Sequence, residues 1–301
     1  MISNSIRLSF VALIIITVGI SSISPSINAS VTSEWSPFHT KSTLIQMFKT
    51  LCDKYPSVAS YESLGKDSGG VTMWLFKIGN PKGGRVLWDG AIHGNEDFGS
   101  ETIYLLAQWL LESKDTAAKT ILSHNYVLLM PIIDSRWDRS NYDTSISKYG
   151  VNLNRNFATG WSKQPINSEE QYGGPYPLSE PETKIMTATW AKWRPVFYVN
   201  LHQGGTLQAY YDGAQTSKST QAITLMKSKA ASMGITPWSF CGMGSNGFSI
   251  GDAGKIYGAA SFMIEVSSSW EHTTATWNNL VNSVLPKAKV LLIAQCQMCS
   301  I

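Results

Sequence analysis

The sequence predicts a single α/β domain, and three observations predict it. Tyr126–Ile133 and Val196–Leu201 are short, dense apolar runs, the pattern of strands buried on both faces. Leu44, Met47, Phe48 and Leu51 are spaced three and four apart, the pattern of a helix that packs along one side. Segments of the two kinds alternate along the chain, which calls for a largely parallel or mixed sheet covered by helices. At 301 residues the chain is long enough for one large α/β domain. No repeat, linker or low-complexity tract interrupts it.

Taken in order, the first helix is predicted over Lys41–Lys54, and Tyr55-Pro56 ends it because the residue before proline avoids helical angles. Strands follow around Ser57–Leu64 and Val71–Ile78, separated by the turn-forming Lys66-Asp67-Ser68-Gly69-Gly70. Asn80-Pro81-Lys82-Gly83-Gly84 makes the next turn and leads into a strand over Arg85–Ile92. Ile103, Leu105, Leu106, Trp109 and Leu110 then give a helical spacing. After the two dense runs, helices are predicted at Glu180–Lys192, Ser217–Met233 and Thr273–Ile293, with an apolar strand over Ala259–Ile264 between the last two.

Composition narrows the function. Hydrophobic residues make up 43% and charged residues 15%, which is the balance of a globular chain. A formal net charge of +3, with no long basic run and no phosphate-cradling glycine loop, argues against nucleic acid or an anionic membrane as partner. Arg7 precedes an apolar run over Leu8–Ile20, and small and polar residues follow to Asn28-Ala29-Ser30. That order reads as a secretory signal peptide over residues 1–29, with a mature domain over 30–301 and a secreted, extracellular product. The run is short for a membrane span, which needs about 20 apolar residues, so no stable span is expected after cleavage. The mature chain is expected to be a monomer. Its cysteines, Cys52, Cys241, Cys296 and Cys299, are candidates for disulfides of unspecified pairing, the last two as a staple of the tail.

Three strand exits carry chemistry. His93-Gly94-Asn95-Glu96 follows the strand Arg85–Ile92, and an imidazole and a carboxylate three residues apart in a turn can face one ion. Nitrogen plus carboxylate oxygen suits Zn²⁺, and Gly94 is expected to allow the tight bend. His-x-x-Glu also occurs by chance, and acidic residues are favourable at any helix N-terminus. His202 ends the run Val196–Leu201, and two histidines plus one glutamate form a ligand set of catalytic zinc. His39, His124 and His272 lack such a setting. Glu265 ends the run Ala259–Ile264, where a carboxylate is either a strand-end charge or a general base for an activated water. Gly150-Val151-Asn152-Leu153-Asn154-Arg155-Asn156-Phe157 sets a guanidinium fork beside an amide, suited to gripping a carboxylate. Upstream, Arg136 and Arg139 offer a guanidinium for a developing oxyanion or for a surface ion pair.

In this order, HGNE, GVNLNRNF, NLHQGG and MIEV resemble the zinc carboxypeptidases, the carboxypeptidase A-like enzymes, over nearly all of the chain from about Trp35. The resemblance implies a mixed eight-stranded sheet with helices on both faces and a Zn²⁺ cofactor held by His93, Glu96 and His202. It further implies Glu265 as catalytic base, Asn154 and Arg155 as the grip on a substrate's terminal carboxylate, and Arg139 as the group polarising the scissile carbonyl, with Arg136 as fallback. The substrates implied are the C-termini of peptides and proteins.

The chain departs from the family pattern in three places. Asn152 stands where the family usually has an aspartate behind the first histidine. Met243 occupies the place of the mobile tyrosine of digestive members, leaving Tyr257 as a loose substitute. No long propeptide separates leader and domain. The specificity position falls on Ile250, or on Gly251 with a one-residue gap, which favours apolar or aromatic C-terminal residues; Asp252 would reverse this in another loop register. The same ligand set serves γ-D-glutamyl-diaminopimelate peptidases and small-molecule deacylases, and a silent zinc- or peptide-binding module is the alternative outside enzymes.

Overall fold

The structure, a computed structural model, describes residues 37–136, 150–163, 171–204, 208–244 and 246–299. The leader expected over residues 1–29 and Arg139 lie outside the described residues. Helix α1 (Lys41–Lys54) starts where Thr40 accepts the Thr43 N–H, and its apolar stripe Leu44, Phe48 and Leu51 is buried. Strands β1 (Ala59–Lys66), β2 (Thr72–Gly79) and β3 (Gly84–Gly90) follow, then helices α2 (Phe98–Glu112) and α3 (Thr116–His124) and strand β4 (Asn125–Met130). The chain continues through α4 (Pro181–Trp193), β5 (Phe197–His202), β6 (Gln208–Asp212), α5 (Thr216–Ser232) and β7 (Ser239–Met243). It closes with α6 (Ser249–Lys255), β8 (Ala260–Glu265), α7 (Thr274–Asn279) and α8 (Leu285–Cys299).

The strands form one mixed eight-stranded sheet in the order β1-β2-β4-β3-β5-β8-β6-β7. The inner strands β4, β3, β5 and β8 run parallel, and the outer strands add antiparallel pairs through β2 and β6. Every residue of β4 and β5 is buried, because helices cover both faces. The dense apolar runs are therefore two interleaved sets. Phe76, Val86, Trp88, Val127, Leu129, Phe197, Val199, Phe262 and Ile264 pack with α1, α2, α3, α5 and α8. Leu75, Leu87, Leu128, Met130, Tyr198 and Met263, their neighbours in sequence, pack with α4 and α6 on the other side.

Elements that sequence patterning did not give are α3, β6, β7 and α6. The helix expected over Thr273–Ile293 is α7, a π-helical stretch over Leu280–Val284, and α8. Pro286 explains the interruption: it has no N–H for the preceding turn, and a widened turn accommodates its ring. No disulfide joins Cys52, Cys241, Cys296 and Cys299. The expected staple of the tail is not formed, since Cys296 and Cys299 lie one turn apart on α8. Cβ atoms at that spacing are about 5–6 Å apart, beyond the reach of a disulfide.

Candidate metal centre

The parallel strands β3, β5 and β8 end at the same edge of the sheet, and the site is built on those ends. β3 stops at Gly90, two residues earlier than the apolar run suggests. Ala91 then takes φ +50°, and its carbonyl accepts the Asp134 N–H at 2.8 Å. The bend that presents His93 is thus made at Ala91 and not at Gly94; a left-handed alanine costs about 1 kcal/mol and is held by that loop contact. Glu96 sits just before α2, whose start approaches β5 closely. A Cβ on Gly99 would lie 2.8 Å from the Leu201 Cβ, so only glycine allows the approach.

The three candidate ligands converge. His93 Nδ1 lies 2.8 Å from Glu96 Oε1, and His202 Nδ1 lies 2.8 Å from Glu96 Oε2. One ligand atom from each residue falls within 4.8 Å of the others, and all three residues are buried. Burial would raise the Glu96 carboxyl, but the two imidazoles outweigh it and hold it at about 2. Burial would lower His93, but Glu96 outweighs it and the ring is raised above its usual value. In both histidines the far nitrogen Nε2 is turned to a side-chain carbonyl: Asn152 Oδ1 at 3.1 Å for His93, and Asn200 Oδ1 for His202. This leaves Nδ1 of each ring free to act as ligand. Two imidazole nitrogens and one ionised carboxylate around a common point fit a zinc ion with an open position.

Glu265 is the last residue of β8 and the register partner of His202 in β5. The two side chains leave the sheet on the same face, one strand spacing (about 4.8 Å) apart. Gln203 braces the assembly. Its backbone N–H donates to Glu96 Oε2 at 3.2 Å, and its side-chain oxygen accepts the Phe98 N–H at the start of α2.

With this geometry in place, the comparisons with known proteins decide the family. The family profile described as zinc carboxypeptidase matches residues 44–277. The chain belongs to the zinc carboxypeptidase family. Carboxypeptidase B of Astacus astacus is 27% identical over 172 residues, covering 50% of this chain and 55% of that protein. Carboxypeptidase A6 of Mus musculus is 24% identical over 199 residues, covering 58% and 44%. The chain therefore matches about half the length of these curated relatives. Carboxypeptidase A from Helicoverpa armigera superposes with a TM-score of 0.70 at 14% identity, covering 87% of this chain and 75% of that one, a likeness of fold.

The remaining residues suggested by the zinc carboxypeptidase pattern are dispersed. Asn154 is buried behind His202: its Oδ1 accepts the Ser249 N–H at 2.9 Å, and its Nδ2 lies 3.3 Å from His202 Nε2. The half-buried Arg155 stacks its guanidinium over the Phe248 ring at 4.5 Å and donates to Gln171 and to the Asn154 carbonyl. Arg136 is held by the carboxylate of Asp134. Ile250 is fully buried among the residues between α6 and the sheet. Asp252 is also fully buried, and its two oxygens accept the N–H groups of Ala158 and Thr159 at 3.1 and 2.6 Å.

The structure does not bring Tyr257 to the site. Tyr257 precedes β8 and packs against Trp190 and Arg194. Glu265 lies at the other end of that six-residue strand, a separation of about 20 Å. Closeness in sequence across a strand is distance in space.

Sequence reasoning missed Asn200, Gln203 and Asp89. Asn200 lies two residues before His202 and therefore on the same face of β5, a signal that the strand period offers. Asn152 gives a direct prediction. Its Oδ1 also accepts the Asn154 backbone N–H at 2.9 Å, which fixes the amide and turns only a neutral carbonyl towards His93. Asn152→Asp is expected to tighten zinc binding by about 10–100-fold, as a charged partner makes the ring a better ligand. Chelator competition on the purified chain measures this, and unchanged affinity would show that the amide is already an equal partner.

Proposed function

We propose that this chain is a zinc metallocarboxypeptidase that removes the C-terminal residue from peptides and proteins, with a leaning towards apolar or aromatic C-terminal residues. The observation that carries this reading is the shared exit of β5 and β8. It sets a carboxylate, Glu265, beside a buried histidine–glutamate–histidine cluster. Zinc bound at that cluster would polarise the scissile carbonyl and make water a nucleophile near neutral pH. His93, Glu96 and His202 would hold the ion. Glu265 takes the proton from the attacking water and returns it to the leaving amine. Arg155, with Asn154, supplies the grip on the terminal carboxylate, and Arg139 remains the proposed group facing the oxyanion.

The specificity reading rests on Ile250 and Gly251, neither of them acidic, at the specificity position. Asp252 is fully buried and its oxygens accept two backbone N–H groups, so it is not presented to an incoming lysine or arginine. Residues 1–29 are proposed as a secretory leader, and no helix among the described residues is long and apolar enough to cross a membrane.

The test is an assay of the purified chain on peptides ending in Phe, Leu, Lys and diaminopimelate, each with and without a zinc chelator. Phe and Leu are expected to be released at least about 10-fold faster than Lys, since an unpaired ammonium resists desolvation. Chelator should abolish release. Preference for Lys would overturn the specificity reading, and preference for diaminopimelate would favour the cell-wall peptidase. Bound zinc without cleavage of any peptide would favour the silent binding module.

A further inference from the structure

A cavity of about 550 Å³ opens between the first turns of α1, the start of β2 and the loop that leaves β4. No residue lining it is a metal ligand or part of the proposed grip on a terminal carboxylate. Ile45, Met73, Trp74 and Ile132 give it apolar walls, and two ammonium groups border it, those of Lys41 and Lys49. Lys49 Nζ stands over the Trp74 ring, 3.6 Å from its centroid. Lys41 lies eight residues earlier on the same helix, about 12 Å away along its axis. Its Nζ donates to the Asp134 carbonyl at 2.7 Å.

An ammonium has three N–H groups, and among the described residues the Lys41 ammonium spends one of them, on that neutral carbonyl. The acids around it are engaged elsewhere. Asp134 holds Arg136 Nε at 2.8 Å, and both Asp97 oxygens face His272 Nε2, at 2.8 and 3.0 Å. Asp67, which borders the cavity, accepts the N–H groups of Gly69 and Val71 on one oxygen and the Ser135 N–H and hydroxyl on the other. Burial pushes the Lys41 ammonium down to about 8, against the pull of Asp134, Asp97 and Asp67, with Arg136 adding to the fall. A cation buried in this way is stabilised by an anion brought to its two unspent N–H groups.

We propose that this cavity binds a small organic carboxylate with an apolar or aromatic body, its carboxylate on Lys41 and its body against Met73, Trp74 and Ile132. The site is separate from the metal centre and does not depend on the zinc reading. One buried ammonium neutralises one charge, and apolar walls offer nothing to the further oxygens of a phosphate, so the matching ligand is a singly charged acid. A free amino acid matches less well, because its own ammonium meets Lys49 and no unengaged carboxylate.

Isothermal titration calorimetry of 3-phenylpropionate into the purified Arg155→Met chain tests this, since that background removes the proposed catalytic grip on a carboxylate. Binding there is expected, with 3-phenylpropan-1-ol and acetate each at least about 10-fold weaker, and adding Lys41→Met is expected to cost at least about 10-fold, the loss of a charge-assisted hydrogen bond. Binding an anion raises Lys41, so the complex should take up about half a proton at pH 8 and almost none at pH 6, read from titrations in buffers of different ionisation enthalpy. No binding in the Arg155→Met chain overturns the proposal, as does undiminished binding after Lys41→Met or equal binding of the alcohol. If Lys41→Met does not fold, Ser42→Phe, at an exposed position lining the cavity, fills the space and leaves Lys41 in place. Undiminished binding in that variant also overturns it.

Discussion

Glu265→Gln is expected to lower the turnover of a C-terminal peptide bond by about 10²–10⁴-fold, the range for loss of a positioned general base. Glutamine fills the same volume and keeps an acceptor oxygen, but it cannot take a proton from water. Glu265 is the register partner of His202, yet it is not among the three residues whose ligand atoms converge. The substitution should therefore leave the zinc content of the purified chain unchanged. Two measurements together decide the point: stoichiometric zinc by elemental analysis, and single-turnover rate on a peptide ending in phenylalanine. A variant that keeps wild-type turnover removes Glu265 from the chemistry. One that loses zinc along with activity makes it a ligand or a support of the cluster.

The second large effect is expected at Glu96. This carboxylate lies between the two imidazoles, 2.8 Å from Nδ1 of each, and it is the anionic member of the cluster. Glu96→Gln keeps the shape and removes the charge. Supporting residues behind a ligand typically change affinity by about 10–100-fold, so the direct loss should exceed that range, and activity should disappear with the metal. Chelator competition reads this, and wild-type affinity in Glu96→Gln would show that the cluster is not the metal site. The pH dependence has a defined sign. Zinc requires neutral histidine, and in the metal-free chain Glu96 raises His93 above its usual value. Protons therefore compete with zinc up to and above the ordinary histidine range. Apparent affinity should fall as pH falls through the raised His93 value, by about 10-fold per unit for each proton displaced.

The fold and the site were legible in the sequence to different depths. The inner strands could be read because burial on both faces forces a continuous apolar run, as in Tyr126–Met130 and Phe197–Leu201. The edge strand β7 (Ser239–Met243) could not. It contains a cysteine and a glycine and has no fully buried residue, so no period is imposed on it. Helix α6 has seven residues, two of them glycine, and too few turns for a stripe to show. Its place is fixed by contacts made elsewhere, through Asp252 to the Ala158 and Thr159 N–H groups and through the Ile250 carbonyl to Ser261.

By itself the sequence determined the chemical types at the strand exits: imidazole and carboxylate after β3, imidazole after β5, carboxylate after β8. It could do so because a polar residue ending an apolar run marks both the edge of a sheet and a group held at that edge. The tertiary structure decided which of these residues meet. Register set Glu265 beside His202 and separated Tyr257 from both by the length of β8. Register also paired Asp89 with Asn200, two residues 111 positions apart that are joined by a buried hydrogen bond. Donor and acceptor orientation is a property of a packed network, and no single strand contains it.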